Sequence, residues 1–328
     1  MSAAVSVLMP VREARWLGEA LGTLLAARPD GVEVVLVDDA QDPEDAAVLA
    51  REAARHGAVR VPAPEGGGLA RLLNAGLASC SAPLIARADA DDLYAPDRLA
   101  RQMAAFAGRP GLVALSCGYR RVAADGRALW AHRPETDAAC LALHALLGAP
   151  LLHPGAMIRA DALRAAGGYD DALWTAQDSD LWVRLARLGE LGNLPEPLVD
   201  WREHSGAVGA GRGAAGRALS HAVAARHVAA YLGAPLPQGE AGPAIDLWRA
   251  TGELDRSGVA AGERGLSRIA AAARARQPSR VARSFERRLA GAIWRRAKAA
   301  PPGRAAALAA RAAAWAAGRG PRAPGAPT

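Results

Sequence analysis

Val34-Val35-Leu36-Val37-Asp38-Asp39 is an apolar, mostly β-branched run that ends abruptly on two carboxylates. Such a run reads as a buried strand, and its acidic end falls where α/β proteins gather ligands, at the carboxyl edge of a parallel sheet. The pattern recurs at residues 84–88, which run into Asp89-Ala90-Asp91-Asp92. Around these two anchors, strand-like and helical spacing alternate. Strands are predicted at 5–9 and 59–61, and helices at about 16–27, 44–56 and 69–79. This rhythm predicts βαβ units and a largely parallel sheet.

Beyond Pro96 the spacing predicts a helix to about residue 106, a strand at 113–116 and a less regular stretch through 130–147. A strand at 156–158, a short helix, a Gly167-Gly168 turn and an amphipathic helix over about 178–188 follow. These pieces read as one continuous domain. Its boundary falls near His204, where Gly206, Gly209, Gly211 and Gly213 punctuate the chain before Ala/Arg-rich helical segments begin. The last eight or so residues, rich in Pro and Gly, are expected to be disordered.

A chain of 328 residues is long enough to bury a substantial core. Its 51% hydrophobic content is largely alanine and its aromatic content only 4%, so many helices should pack through small side chains. The net charge of +7 is carried by arginine, Lys298 being the sole lysine, and it admits sugar nucleotides, acidic lipids or nucleic acid as partners. Cys80, Cys117 and Cys140 are odd in number and form no CxxC pair, which argues against a disulfide framework or a zinc site and for a reducing compartment. No apolar run reaches about 18 residues, and Pro10, Arg12 and Glu13 interrupt any signal-peptide core. A cytoplasmic protein, soluble or bound to a membrane surface, is expected.

Three acidic clusters carry the chemistry. Asp38 and Asp39 can accept hydrogen bonds from a base or ribose, or else cap the next helix. The carboxylates of Asp89, Asp91 and Asp92 can hold a hard divalent cation bridging to a diphosphate, or else form an acidic helix start. In Gln177-Asp178-Ser179-Asp180-Leu181-Trp182-Val183-Arg184, Asp178 is either a cap or a general base for a sugar hydroxyl. Gly66-Gly67-Gly68 lacks the Gly-Lys-Ser/Thr ending of a phosphate loop, and no GxGxxG follows the first strand, so Walker-type nucleotidases and dinucleotide oxidoreductases are disfavoured.

In order and spacing, these segments resemble the family 2 glycosyltransferases over roughly residues 4–206. Val5-Ser6-Val7-Leu8-Met9-Pro10-Val11-Arg12 is similar to the family's opening strand and turn, and Val37-Asp38-Asp39 to its nucleotide-binding acidic pair. The Gly66–Gly76 stretch resembles the helix after its third strand, and Arg87-Ala88-Asp89-Ala90-Asp91-Asp92 with Pro96, Arg98, Leu99 and Gln102 resembles its DxD region. His153-Pro154-Gly155, Gly167-Gly168-Tyr169-Asp170 and the Gln177–Arg184 segment look like its acceptor side, with Leu194-Pro195-Glu196-Pro197-Leu198, Arg202 and His204 closing the pattern.

The resemblance implies a GT-A-type, Rossmann-like α/β fold with a mostly parallel sheet flanked by helices, plus a C-terminal α-helical tail. Residues 1–205 would be the catalytic domain, with 1–110 the nucleotide-binding half and 111–205 the acceptor half, and residues 206–328 the basic helical region. It implies an inverting, metal-dependent transfer from a nucleoside diphosphate sugar to a glycan or lipid-linked acceptor, in cell-surface polysaccharide or glycolipid assembly. Position by position, Asp38 and Asp39 take base and ribose recognition, Pro10 and Arg71 nucleotide-sugar contacts, and Asp89 and Asp91 the nucleotide and a Mn²⁺ or Mg²⁺ ion. Asp178 becomes the catalytic base, His204 a metal-side candidate, and His153 and Gln177 acceptor-side candidates. Two departures are Ala40-Gln41 after the acidic pair, where a small polar pair is commoner, and Gln177 where many relatives carry glutamate. A non-catalytic sugar-nucleotide-binding protein of the same fold is the competing reading.

In the tail, Val281, Phe285, Leu289 and Ile293 recur at helical spacing with arginines on the other side. This stripe either lies on an anionic membrane, giving peripheral association through the basic tail, or packs against the catalytic domain. Arginine and alanine without interleaved aromatics argue for no nucleic acid partner. Trp182 is expected in the core, while Trp130, Trp174 and Trp201 fall in loop-like surroundings.

Overall fold

Strand and helix alternate through the first quarter of the chain as β1 (Val5–Val11), α1 (Leu17–Leu24), β2 (Val32–Asp38), α2 (Pro43–His56), β3 (Val59–Pro62), α3 (Leu69–Ser79) and β4 (Leu84–Arg87). The computed structural model describes residues 3–204, 213–318 and 320; the glycine-rich stretch 205–212 and the final residues 321–328, expected to be disordered, lie outside them. Helix boundaries follow local chemistry. In α2, Asp42 caps the start by accepting from the Asp45 N–H at 2.9 Å, Pro43 opens the first turn, and Gly57 ends it in the left-handed conformation at φ 62°.

The chain continues through β5 (Leu93–Tyr94), α4 (Arg98–Ala107), β6 (Leu112–Ala123), β7 (Ala128–His132), α5 (Ala138–Ala145), a 3-10 turn at His153–Gly155, β8 (Met157–Arg159), α6 (Ala160–Ala165), α7 (Gln177–Leu185) and β9 (Glu190–Glu203). Among the described residues these strands form one nine-stranded sheet in the order β3-β2-β1-β4-β8-β6-β9-β5, with β7 paired to β6. The β3-β2-β1-β4 half is parallel, whereas β8 runs antiparallel to both β4 and β6, and β6 runs parallel to β9. Val5, Val7, Met9, Val34 and Leu36 lie in a core with Leu17, Leu21 and Leu24 of α1.

Pro195 and Pro197 argue against a strand, and none is predicted there from the sequence; β9 nonetheless runs through both. The ladder accommodates them by shifting register on either side of Gly118, which pairs with Pro197 while Cys117 pairs with Leu194. A Cβ on Gly118 would stand 2.9 Å from the Pro195 carbonyl oxygen and 3.0 Å from those of Glu196 and His132, so only glycine fits. Trp130 and Trp201, expected in loops, lie on β7 and β9, while Trp182 is fully buried as expected.

The described chain divides into two compact units, Met1–Ala138 with Pro150–Gly213, and Ala139–Ala149 with Ala214–Thr328. The first carries the sheet. Residues 139–149, read from sequence as part of the first domain, belong to the helical unit: α5 is apolar on most sides, so its periodicity names no partner. That unit adds α8 (Gly213–Leu232), α9 (Ala241–Arg249), α10 (Arg256–Arg276), α11 (Ser279–Ala299) and α12 (Pro302–Ala316). Val281, Phe285, Leu289 and Ile293 of α11 are all buried, and Phe285 stacks on Trp248 of α9 with ring centroids 4.5 Å apart. The apolar stripe is therefore spent inside the helical unit itself. Among the described residues no helix is long and apolar enough to cross a membrane.

Within this unit His144 is 3% exposed, packs edge-on against Trp248 at 5.2 Å, and its Nε2 has no hydrogen-bond partner. Burial, helped by the charge of Arg288, pushes its pKa down to about 3. The folded state thus holds His144 neutral while the unfolded chain protonates it near 6.5. Its contribution is complete above about pH 6.5 and is lost as pH falls toward 3, at roughly 1.4 kcal/mol per pH unit. Urea unfolding at pH 7 and pH 5 should show this loss in the native chain and a clearly smaller one in His144→Leu.

Candidate functional site

The carboxyl ends of β2, β1 and β4 lie side by side, and the first two acidic clusters sit where the chain leaves them. Asp38, the last residue of β2, pairs with Arg60 of β3 at 2.6 Å and accepts from the Ala40 N–H at 3.3 Å. Asp39 donates its N–H to the Val11 carbonyl at 2.9 Å, and its carboxylate lies 3.9 Å from Arg12 and 3.3 Å from the Gln41 amide nitrogen. Gln41, one of the two residues departing from the small polar pair, thus holds the turn from its own side chain. Pro10, half-buried on β1, is in register with Val37.

After β3, α3 begins without a side-chain cap, following Gly66, Gly67 and Gly68 at φ 84°, 57° and 90°. Arg71 donates to the Glu65 carbonyl at 3.4 Å and crosses close to Gly66, where an added Cβ would meet its Nη1 at 2.7 Å. Further along α3, Asn74 clamps the Gly167-Gly168 turn. Its amide donates to the Tyr169 carbonyl at 2.8 Å and to Asp171 at 2.7 Å, and its oxygen accepts from the Tyr169 N–H at 2.9 Å.

Asp89, Asp91 and Asp92 offer carboxylate oxygens that all lie within 4.8 Å of one another. Each is anchored differently. Asp89 pairs with the buried Arg87, and its backbone N–H and carbonyl both engage the Tyr94 hydroxyl, at 2.6 and 2.9 Å. Asp91 bonds His204 Nε2 at 2.8 Å, and Trp16 packs on the His204 ring with centroids 4.6 Å apart. Asp92 is 1% exposed; one oxygen accepts from the Arg202 N–H at 2.9 Å and the other has no hydrogen-bond partner. Arg202, through Nε, also binds the Asp91 carbonyl at 2.9 Å.

Burial, then the charge of Asp89, raises the pKa of Asp91, with His204 opposing. Burial and the charges of Asp89 and Asp91 push Asp92 well above the ordinary carboxylate range. Three crowded acids, one with an orphaned buried oxygen, are a donor set suited to a hard divalent cation. Asp92 was only one acid among three in the sequence; what singles it out is the Arg202 backbone, 110 positions away.

Arg87, 1% exposed, is the second residue that local sequence could not single out. Burial opposes its charge, but Asp89, joined by Tyr169 and Tyr94, outweighs burial and keeps its pKa raised. Buried Arg98 donates to the Arg87 carbonyl at 2.6 Å and to Gln102 at 3.1 Å, while Gln102 donates to the Gly155 carbonyl at 2.8 Å. Arg98 and Gln102 thereby brace the end of β4 against the 3-10 turn that carries His153. His153 is buried, bonds the Tyr169 hydroxyl through Nε2 at 2.9 Å, and is held neutral by burial and then by the charge of Arg87.

The third cluster opens α7. Ala176 precedes it at φ 60°, a left-handed conformation uncommon outside glycine. Gln177 is 3% exposed with its Oε1 unpartnered, and half-buried Asp178 accepts from the Ser179 N–H at 2.8 Å. Asp180 pairs with Arg184 at 2.7 Å, and Arg184 donates to the Gly168 carbonyl at 2.7 Å. Tyr169 joins the clusters electrically: burial raises its pKa, Arg87 opposes, and the charges of both Asp178 and Asp89 raise it further. Asp89, Asp91, Asp92 and His204 are thus gathered together, with Asp178 and His153 reached through Tyr169. Asp38, Asp39 and Arg71 share no hydrogen bond or ion pair with that group among the described residues.

The sequence profile described as Glycosyl transferase family 2 matches residues 6–156. The amylovoran biosynthesis glycosyltransferase AmsE of Erwinia amylovora is 31% identical over 183 residues, spanning 55% of this chain and 68% of that one. An uncharacterized glycosyltransferase of Haemophilus influenzae is 28% identical over 214 residues, spanning 63% and 79%. The crystal structure of S. aureus TarS 1-349 in complex with UDP-GlcNAc is similar in fold with a TM-score of 0.57 at 15% identity, covering 96% of this chain and 92% of that one. The mannosyltransferase PcManGT from Pyrobaculum calidifontis, in complex with GDP-Man and Mn²⁺, gives a TM-score of 0.50 at 22% identity over 97% and 81%.

Proposed function

Because this chain belongs to glycosyl transferase family 2 and has its GT-A fold, we propose that it moves a sugar from a nucleoside diphosphate sugar to an acceptor hydroxyl with inversion at the anomeric carbon. The observation that carries this reading is the convergence of Asp89, Asp91 and Asp92 at the sheet edge, with a buried carboxylate oxygen left unpaired. Residues 1–110 are assigned to the donor and 111–138 with 150–205 to the acceptor, while 139–149 are counted with the basic helical region. The AmsE likeness supports a role in polysaccharide assembly, with a glycan or lipid-linked glycan as acceptor. Cys80, Cys117 and Cys140 are all buried thiols, which suits a reducing compartment such as the cytoplasm.

Asp38 and Asp39 are assigned to base and ribose, with Pro10 shaping the floor and Arg71 reaching the diphosphate. Asp89, Asp91 and Asp92 would hold a Mn²⁺ or Mg²⁺ ion, and His204 orients Asp91 beside it. Bound there, the cation supplies positive charge against the departing diphosphate. Asp178 accepts the proton from the acceptor hydroxyl as that oxygen attacks C1 from the face opposite the leaving group; one displacement inverts the centre. His153, neutral and fixed by Tyr169, and Gln177, with a free acceptor oxygen, line the acceptor side.

Thermal unfolding with a panel of nucleotide sugars plus Mn²⁺ tests this reading. A cognate donor at about 100 times its Kd should stabilise the fold by roughly 2.7 kcal/mol. If no donor shifts the midpoint, or the shift ignores Mn²⁺, the assignment fails.

A further inference from the structure

The helical unit, which contains none of the residues assigned to the donor site, carries a strongly basic face of its own. Charge is divided unevenly along the chain: residues 206–328 carry 20 arginines and lysines against 6 acids, whereas residues 1–205 carry 20 against 27. Such asymmetry between halves marks attraction to a polyanionic partner. It is concentrated on α11. With about 100° per residue, Arg283, Arg287, Trp294 and Lys298 fall within an arc of about 40–60° and span about 22 Å. All four are exposed, Trp294 at 47%, and Arg295 is exposed beside them.

Val281, Phe285, Leu289 and Ile293 point the other way, into the core. The single acid on α11, Glu286, is buried and paired with Arg274, so the outward face has no acid of its own. Arg296, by contrast, is turned inward and donates to the Asp246 carbonyl at 2.9 Å. Four cations around one exposed indole match an anionic bilayer surface, where arginine and lysine meet headgroup charge and tryptophan settles at the interface.

We infer that the outward face of α11, built on Arg283, Arg287, Trp294, Arg295 and Lys298, docks the protein on an anionic phospholipid leaflet. The contact is electrostatic and shallow, because the apolar stripe that could insert is already buried. It uses none of the donor-site residues and is measured without nucleotide, so its failure leaves the transferase reading standing.

The test is co-sedimentation of the full chain with vesicles of phosphatidylcholine alone or with added phosphatidylglycerol, at low and high salt. Pelleting is expected only with phosphatidylglycerol and should vanish at high salt. Each cation should contribute about five-fold to partitioning, so the Arg283→Gln, Arg287→Gln, Lys298→Gln triple variant should lose on the order of 100-fold. The single variants, whose exposed positions spare the fold, should each lose about five-fold. The blue shift of tryptophan fluorescence on these vesicles should shrink in Trp294→Phe. Three outcomes overturn the inference: no pelleting with phosphatidylglycerol, equal pelleting of native and variant chains, or stronger binding to duplex DNA than to the vesicles with the same dependence on these cations.

Discussion

Asp178→Asn is expected to lower turnover by about 10²- to 10⁴-fold, while donor binding, read as the thermal shift with nucleotide sugar and Mn²⁺, stays within a few-fold of native. The change is isosteric, and the hydrogen bond from the Ser179 N–H at 2.8 Å can be kept by the asparagine carbonyl. Nothing in the packing of α7 needs the charge, since the ion pair that fastens the helix belongs to Asp180 and Arg184. What disappears is the ability to take a proton. Parallel loss of turnover and donor binding would remove Asp178 from the acceptor and make it part of the donor cradle. The Tyr169 hydroxyl, which feels both Asp178 and Asp89, supplies a control: Tyr169→Phe removes the bond to His153 but no carboxylate.

Asp91→Asn should be as damaging by another route. Asp91 is the member of the acidic group that also bonds His204, at 2.8 Å. Removing its charge should weaken cation-dependent donor binding by more than about 100-fold, several kcal/mol being typical for a lost charge on a cation at a leaving group. Titrating Mn²⁺ against donor binding by calorimetry, with a chelator as reference, should show the native chain losing donor affinity on chelation and the variant indifferent to it. If the variant keeps Mn²⁺-dependent donor binding, the acidic group is not the cation site.

The parallel half of the sheet was legible because each strand is a short apolar run and each following helix has its own period. The carboxylates of Asp38, Asp39, Asp89 and Asp91 are contiguous with those strands, so their position at the sheet edge followed from the local pattern. The rest depends on contacts between distant residues. β9 hides behind Pro195 and Pro197 because the relief comes from Gly118 on another strand. Asp92 is distinguished from its neighbours by the backbone of Arg202, and His153 from a surface histidine by Tyr169. The stripe on α11 left a membrane surface and a packing partner equally open, because periodicity does not name what covers an apolar face; Trp248 of α9 fills that place.

Ala176, at φ 60°, bears on how the start of α7 is kept in register. An L-residue in that conformation costs on the order of 1–3 kcal/mol, which the surrounding packing must supply continuously. The segment entering α7 is consequently a sprung joint: its bend exists only while the fold enforces it, and the direction in which the neighbouring carboxylate leaves the helix is set by the whole unit rather than by a permissive glycine.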